Sequence, residues 1–125
     1  MRLSGSETVL AVDDDPIMIE LVERVLTPLG YKVLSAASGE EALEMVASQE
    51  EKIDLLLTDV ILPGIKGQDL AKQLLINCPG VNVLFMSGYI CPSMAHNDSE
   101  QRFEGFIQKP FAPNSLLRKM RKLLD

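Results

Sequence analysis

The sequence predicts a doubly wound α/β domain in which a five-stranded parallel sheet is covered by helices on both faces. Short apolar runs alternate with segments whose apolar residues recur at helical spacing, which is typical of parallel sheets. The apolar runs are hydrophobic throughout, which indicates strands buried on both faces. With 125 residues, of which 46% are hydrophobic, we expect a single domain over 1–125 with a flexible N-terminal segment at 1–6.

The first half of the chain contains three predicted strands, each followed by a helix. The strands are 8–12 (TVLAV), 31–35 (YKVLS) and 54–59 (DLLLTD). The helices are 16–29, which Gly30 ends, a second that opens at Ser38 and extends through Ala47, and a third at 67–77 after a Pro63-Gly64 turn.

The second half continues this alternation but contains one weak segment. Strands are predicted at 81–86 (VNVLFM) and 103–108, and the last helix at 113–124. Between these strands, residues 91–101 are polar and include a proline, so they favour only a short helix.

Polar side chains stand at the carboxyl ends of four predicted strands. Strand one runs into Asp13-Asp14-Asp15, strand three ends in Asp59, strand four is followed by Ser87, and strand five by Lys109. Ligands of open parallel sheets bind beyond these ends, at the point where the strand order reverses. Each residue alone has an ordinary explanation as a cap, a turn residue or a solvated side chain, but their repetition on four strands favours one shared site.

Three consecutive carboxylates at a strand end repel one another. Two unit charges 4 Å apart cost about 4 kcal/mol at an effective dielectric constant near 20. Asp15 is expected to cap the first helix, with Pro16 at its first position. Mg²⁺ is held by carboxylates, waters and phosphate oxygens, so Asp13 and Asp14 are candidate magnesium ligands.

The remaining polar residues fit phosphoryl chemistry. The carboxylate of Asp59 can attack phosphorus and form an aspartyl phosphate. Lys109 and Ser87 would then hold the phosphoryl oxygens through hydrogen bonds.

Four motifs together resemble the response-regulator receiver domain, over residues 7–125. They are VLAVDDDP, LLLTDVILPGIKG, LFMSGY and FIQKPF. The resemblance implies a flavodoxin-like (CheY-like) sheet with strand order 2-1-3-4-5 and five helices. It also implies that Asp59 accepts a phosphoryl group from a sensor histidine kinase or histidine phosphotransfer domain, and that Asp13, Asp14, Asp59 and the Ile61 carbonyl hold Mg²⁺.

The resemblance further implies a switch and a backbone feature. Ser87 would move toward the phosphoryl group and Phe106 would rotate into the vacated space, altering the surface formed by the fourth helix, fifth strand and fifth helix. The peptide bond before Pro110 would be cis. Ala112 is a poor cap for the last helix, and His96 is expected to be a solvated residue.

Composition restricts the partners. Lys and Arg number 12 against 18 Asp and Glu, giving a net charge of −6, which argues against direct nucleic-acid binding. No apolar run is long enough to span a bilayer, and Cys78 and Cys91 form no CxxC pair, so we expect a cytoplasmic chain without disulfides.

The apolar Ile17 is a candidate contact for the phosphodonor, and a weak homodimer is left open.

Two other functions remain open from the sequence. Asp13-x-Asp15 resembles the nucleophile motif of haloacid-dehalogenase-type phosphatases, with Asp13 as nucleophile, although the chain is short for such an enzyme. The second alternative is a receiver-like binding module that works without phosphorylation. We expect a signalling domain rather than an enzyme acting on other substrates, either at the carboxyl end of a hybrid kinase or free-standing. We also expect no DNA-binding module after Asp125.

Overall fold

The computed structural model describes residues 2–48, 52–88 and 105–125, and it contains a five-stranded parallel sheet. The strands are β1 (Thr8–Val12), β2 (Lys32–Ala36), β3 (Leu55–Asp59), β4 (Asn82–Ser87) and β5 (Gly105–Gln108). The helices in these ranges are α1 (Pro16–Leu26), α2 (Gly39–Ser48), α3 (Gly67–Asn77) and α4 (Pro113–Leu124). The strand order is β2-β1-β3-β4-β5, which confirms the predicted order.

Most element boundaries agree with the sequence to within one residue, and the largest difference lies in α1. The α-helix ends at Leu26 and continues as a 3₁₀ turn over Thr27–Leu29, instead of reaching residue 29 as an α-helix. Pro28 has no backbone N–H to donate to the preceding turn, which explains the change. Gly30 then ends the segment in the left-handed region, with φ 103°.

Several predictions fall outside the described residues. They concern the short fourth helix within 91–101, the first two residues of the fifth strand, Cys91 and His96. The last helix, the fifth in the predicted order, is therefore α4 here. Its first turn has Ala112 at the cap position without a side-chain hydrogen bond, as the sequence predicts.

The two faces of the sheet form two separate apolar cores. On one face, Val9 and Leu57 pack with α1 and with Leu116 of α4. On the other, Leu10 and Phe85 pack with side chains of α2 and α3. Every residue of β1 is buried, which confirms a central strand covered on both sides.

A buried arginine joins the two ends of the chain at the edge of the sheet where the strands begin. Arg121 of α4, only 7% exposed, donates to both carboxylate oxygens of Glu7 at 2.8 and 2.9 Å and to the hydroxyl of Tyr31 at 3.2 Å. It also pairs with Asp125. The hydrogen bond from Arg121 lowers the pKa of Glu7 below its ordinary value, although burial acts in the opposite direction. Arg121 thus anchors the last helix to the residues that precede β1 and β2.

The N-terminal residues, predicted to be flexible, contact the same edge. The Tyr31 hydroxyl donates to the Leu3 carbonyl at 2.8 Å, and the Gly5 amide donates to the Leu29 carbonyl at 3.1 Å. The flexibility of this segment stays a prediction. Across the described ranges, none of the helices has the length and apolar character needed to cross a bilayer.

Candidate functional site

The register of the two central strands places two carboxylates side by side. Val12 of β1 lies opposite Thr58 of β3, so the next residues along these strands are Asp13 and Asp59. Neighbouring strands lie about 4.8 Å apart, and side chains alternate between the two faces. Asp13 and Asp59 therefore leave the sheet on the same face, at the point where the strand order reverses.

Lys109, which follows the edge strand β5, bridges these two carboxylates. Its ammonium nitrogen lies 2.8 Å from Asp13 Oδ2 and 3.2 Å from Asp59 Oδ2. The Lys109 amide also donates to the Ser87 carbonyl at 2.6 Å, which fixes the backbone at the base of this side chain. The peptide bond between Lys109 and Pro110 is cis, as the resemblance implies.

The protonation of this cluster depends on burial and on Lys109. The Asp13 side chain is 1% exposed, against 15% for Asp59. Burial raises the pKa of the Asp13 carboxyl, and the hydrogen bond from Lys109 offsets only part of the increase. Burial acts to lower the pKa of the Lys109 ammonium, but its hydrogen bonds and charge interactions with Asp13 and Asp59 outweigh burial and raise it. Lys109 therefore stays charged at neutral pH.

Three carboxylates form a group with the geometry of a cation site. One oxygen each from Asp13, Asp14 and Asp59 lies within 4.8 Å of the others. Asp14 is exposed, whereas Asp15 turns to its helix and accepts the Ile17 amide hydrogen bond at 2.9 Å, as predicted for a cap. The donor set consists of hard anionic oxygens, partly open to solvent, and it fits Mg²⁺.

The loop from Val60 to Lys66, called the β3–α3 loop below, is tightly fixed at its base. The Ile61 amide donates to Asp59 Oδ1 at 3.2 Å, and the Gly67 amide donates to the Val60 carbonyl at 3.0 Å. A Cβ atom on Gly67 would overlap the Asp59 carbonyl, so only glycine fits there. The Ile61 side chain is 52% exposed beside the acids.

Ser87 and Phe106 lie on one face of neighbouring strands. Phe106 pairs in register with Phe85, and Ser87 is two residues further along β4, so alternation brings the two side chains to the same side. Ser87 is 1% exposed, and Phe106 is partly buried against the core beneath α2 and α3. The Phe106 carbonyl accepts a hydrogen bond from Lys119 of α4 at 2.7 Å.

A cavity of about 500 Å³ opens beside the acids, between α1 and the segment after β2. Its lining includes Asp13, Asp14, Ile19 and Glu41, so the carboxylates are reached from solvent on this side. Ile17 is 75% exposed, whereas Ile19 packs partly against the core. Ile17 is thus the apolar residue of this first turn that is available to a partner.

Comparison with known proteins agrees with this fold. A family model described as the response regulator receiver domain matches residues 9–121. The chain is 35% identical over 123 residues to the sensor kinase CckA of Brucella abortus (strain 2308), covering 98% of this chain and 13% of that protein. It is 34% identical over 119 residues to the response regulator MprA of Mycobacterium ulcerans (strain Agy99), covering 95% of this chain and 50% of that protein.

Solved structures give the same result. The Vibrio cholerae chemotaxis protein CheY4 superposes with a TM-score of 0.85 at 27% identity, covering 96% of this chain and all (100%) of that chain. A CheY-like receiver domain protein of Methanospirillum hungatei JF-1 also gives 0.85, at 28% identity, covering 97% of this chain and 95% of that chain.

A doubly wound parallel sheet with an acidic site at its switch point is the architecture of a signalling receiver. The chain belongs to the response regulator receiver domain family of two-component systems. Membership of this family sets aside the phosphatase alternative based on Asp13. The chain spans about half the length, or less, of the curated relatives named here, so the activities of those whole proteins are not transferred to it.

The bridge made by Lys109 leads to a prediction about stability. With divalent cations chelated, Lys109→Met should lower the free energy of unfolding at neutral pH by about 1.5–3 kcal/mol, because buried Asp13 loses its charged hydrogen-bond donor. Because Lys109 lowers the pKa of Asp13 against the effect of burial, this pKa should be higher still in the variant. The loss should be complete above the variant's Asp13 pKa and shrink as the pH falls from that pKa to the lower wild-type pKa, since a protonated carboxyl needs no cation. Urea unfolding at several pH values measures this. Lys72→Met, which removes an equal charge from the exposed side of α3, should change little; equal losses in both variants would contradict the bridge.

Proposed function

We propose that this chain is a phosphoacceptor receiver in which Asp59 takes a phosphoryl group from a phosphohistidine. The observation that carries the proposal is the position of Asp59, whose two carboxylate oxygens accept hydrogen bonds from Ile61 and Lys109 while two further acids stand beside it. A carboxylate that served only as a helix cap or turn residue would have neither the Lys109 ammonium nor two further acids beside it.

The transfer is a displacement at phosphorus. A carboxylate oxygen of Asp59 attacks the phosphorus atom, the phosphorus–nitrogen bond of the donor breaks, and the histidine nitrogen leaves with the bonding electrons. Lys109, 3.2 Å from Asp59 Oδ2, would stay charged and stabilise the negative phosphoryl oxygens. The Ser87 hydroxyl would donate to one of these oxygens once the group is attached.

Magnesium is the cofactor that the donor set fits best. Asp13, Asp14, Asp59 and the main-chain carbonyl of Ile61 would hold Mg²⁺, which would neutralise charge on the phosphoryl oxygens during transfer. In its absence, Lys109 offsets part of the repulsion by binding Asp13 and Asp59 together.

The proposed partner is a sensor histidine kinase or a histidine phosphotransfer domain. CckA, one of the relatives, is named a sensor kinase, and its likeness to this chain is consistent with a receiver attached to a kinase. A free-standing receiver fits the site equally well. The domain would react at its own carboxylate and transmit a signal, rather than turn over other substrates as an enzyme. It would not bind nucleic acid or membrane directly.

The first prediction concerns the phosphorylated residue. Incubation with Mg²⁺ and acetyl phosphate should add one phosphoryl group to the wild-type chain, and Asp59→Asn should abolish the addition because the amide is not a nucleophile. Intact mass spectrometry with peptide mapping measures this. Asp69→Asn, an exposed acid in the first turn of α3, is the matched control and should be modified like the wild type. No addition to the wild type would instead favour a binding module that works without phosphorylation.

The second prediction concerns the switch. In the phosphorylated chain, the hydroxyl of Ser87 should move toward the phosphoryl group, and the Phe106 ring should rotate into the space on their shared face. NMR should show displaced Phe106 ring signals in the phosphorylated wild type and much smaller displacement in Ser87→Ala. Unchanged Phe106 signals in a fully phosphorylated sample would refute the switch. The output surface would include β5, α4 and the predicted helix within 91–101.

The third prediction concerns recognition of the donor. Ile17→Glu should slow transfer from a cognate phosphohistidine protein by about tenfold, because a charge replaces an exposed apolar contact beside the acids. Phosphorylation by acetyl phosphate, which needs no docking surface, should be unchanged. Ile76→Glu is the control, since Ile76 is 80% exposed near the far end of α3. Equal rates for both variants and the wild type would rule out Ile17 as a contact.

A further inference from the structure

Two consecutive glutamates in the first turn of α2 have different partners. Glu41 serves its own helix: its carboxylate accepts the Ala37 amide hydrogen bond at 3.3 Å, while the Glu41 amide donates to the Ser38 hydroxyl at 3.1 Å. This reciprocal pair is a form of the capping box. Glu40 instead reaches across to the β3–α3 loop, where it accepts the Ile65 amide hydrogen bond at 3.3 Å. The cap of α2 is complete without Glu40, so the contact made by Glu40 serves the loop.

The packing around this contact is close. A Cβ atom on Gly39 would lie 3.1 Å from the Ile65 Cβ, so glycine allows the start of α2 to approach the loop. Gly64 has φ +75°, and the Glu40 carboxylate occupies the space into which a Cβ atom on Gly64 would project. The carboxylate of Glu40 therefore lies directly over the turn of the loop.

The β3–α3 loop is thus held at two places. At its base, the Gly67 amide bonds the Val60 carbonyl, and the Ile61 amide bonds Asp59. Near its junction with α3, the contact between Glu40 and Ile65 joins it to α2, an element that contributes none of the candidate metal ligands. Ile61 is bonded at the first attachment and Ile65 at the second, so the short segment from Ile61 to Ile65 is held at both of its ends.

We propose that Glu40 is a positioning residue for the metal site. By accepting the Ile65 hydrogen bond, its carboxylate fixes the loop segment that supplies the Ile61 carbonyl, without itself contacting the metal. This inference rests on the proposed function, because it assumes that the Ile61 carbonyl contributes to the Mg²⁺ site. Removing a residue that orients metal ligands commonly weakens metal affinity by about 10- to 100-fold. Because the contact made by Glu40 is exposed, we expect a change at the lower end of this range.

The experiment compares hydrogen bonding and charge at the same position. Glu40→Ala should weaken Mg²⁺ binding by about tenfold and speed hydrogen exchange of the Ile65 amide. Glu40→Gln keeps a carbonyl oxygen that can accept the same hydrogen bond, so its Mg²⁺ affinity and Ile65 exchange should stay within about twofold of wild type. Isothermal titration with Mg²⁺ and amide exchange by NMR on the whole chain give the two readouts.

Glu44→Gln and Glu44→Ala are the matched controls, because they remove a charge from the exposed side of the same helix. If Glu40→Gln weakens Mg²⁺ binding as much as Glu40→Ala, Glu40 acts through its charge and the positioning role is overturned. Unchanged Ile65 exchange in Glu40→Ala overturns it as well. If the wild type binds Mg²⁺ and Glu40→Ala binds it equally well, only the positioning role fails, whereas a wild type without Mg²⁺ binding refutes the metal site and this role together.

Discussion

The repulsion between carboxylates at the centre of the sheet is the constraint on which the rest of the site depends. Asp13 and Asp59 emerge side by side because the register of β1 and β3 leaves no alternative. Because Asp13 is buried and Asp59 is mostly buried, such a pair of charges is costly unless a cation lies nearby. Lys109 provides that cation, but a single ammonium stands beside the carboxylates of Asp13, Asp14 and Asp59. Negative charge is therefore in excess at this edge, and a divalent cation would offset it.

The architecture supplies the rigidity that this arrangement needs. Asp13 follows β1, and Asp59 is the last residue of β3. The apolar side chains of these adjacent strands lie in two separate cores, so neither carboxylate can withdraw without disturbing buried packing. Polar anchoring is also concentrated at the opposite edge, where Arg121 joins Glu7 and Tyr31. At the carboxyl edge, Lys109 and the β3–α3 loop form the polar contacts around the acids. Both edges of the sheet are therefore held by hydrogen bonds and ion pairs.

The sequence predicts the sheet and the residues of the site more completely than their contacts. Fully apolar strands and acids at strand ends are local patterns, and they lead directly to Asp13 and Asp59. The bond from Lys109 to Asp13 joins residues 96 positions apart, and the bond from Arg121 to Glu7 joins residues 114 apart. No periodicity specifies such partners, because they depend on where the strands and α4 lie in the folded chain. Glu40 was missed for a related reason, since a glutamate in the first turn of a helix is already explained by the helix dipole.

The position of Lys109 couples the centre of the sheet to its edge. Lys109 follows β5 by one residue, and Phe106 lies three residues earlier, so the ammonium that holds Asp13 and Asp59 belongs to the strand that carries the proposed switch. Within the described residues, β5 has no further strand on its outer side, and the Phe106 carbonyl accepts a hydrogen bond from Lys119. If Asp59 carries a phosphoryl group, Lys109 gains additional anionic oxygens to bind, and the pull on β5 changes. Ile107 of β5 also packs in the core with residues of the last helix, but a strand hydrogen-bonded to one neighbouring strand would yield to such a pull more easily than a central strand bonded on both sides. The lysine ammonium that bridges Asp13 and Asp59 would therefore connect a phosphoryl group on Asp59 to the surface around Phe106.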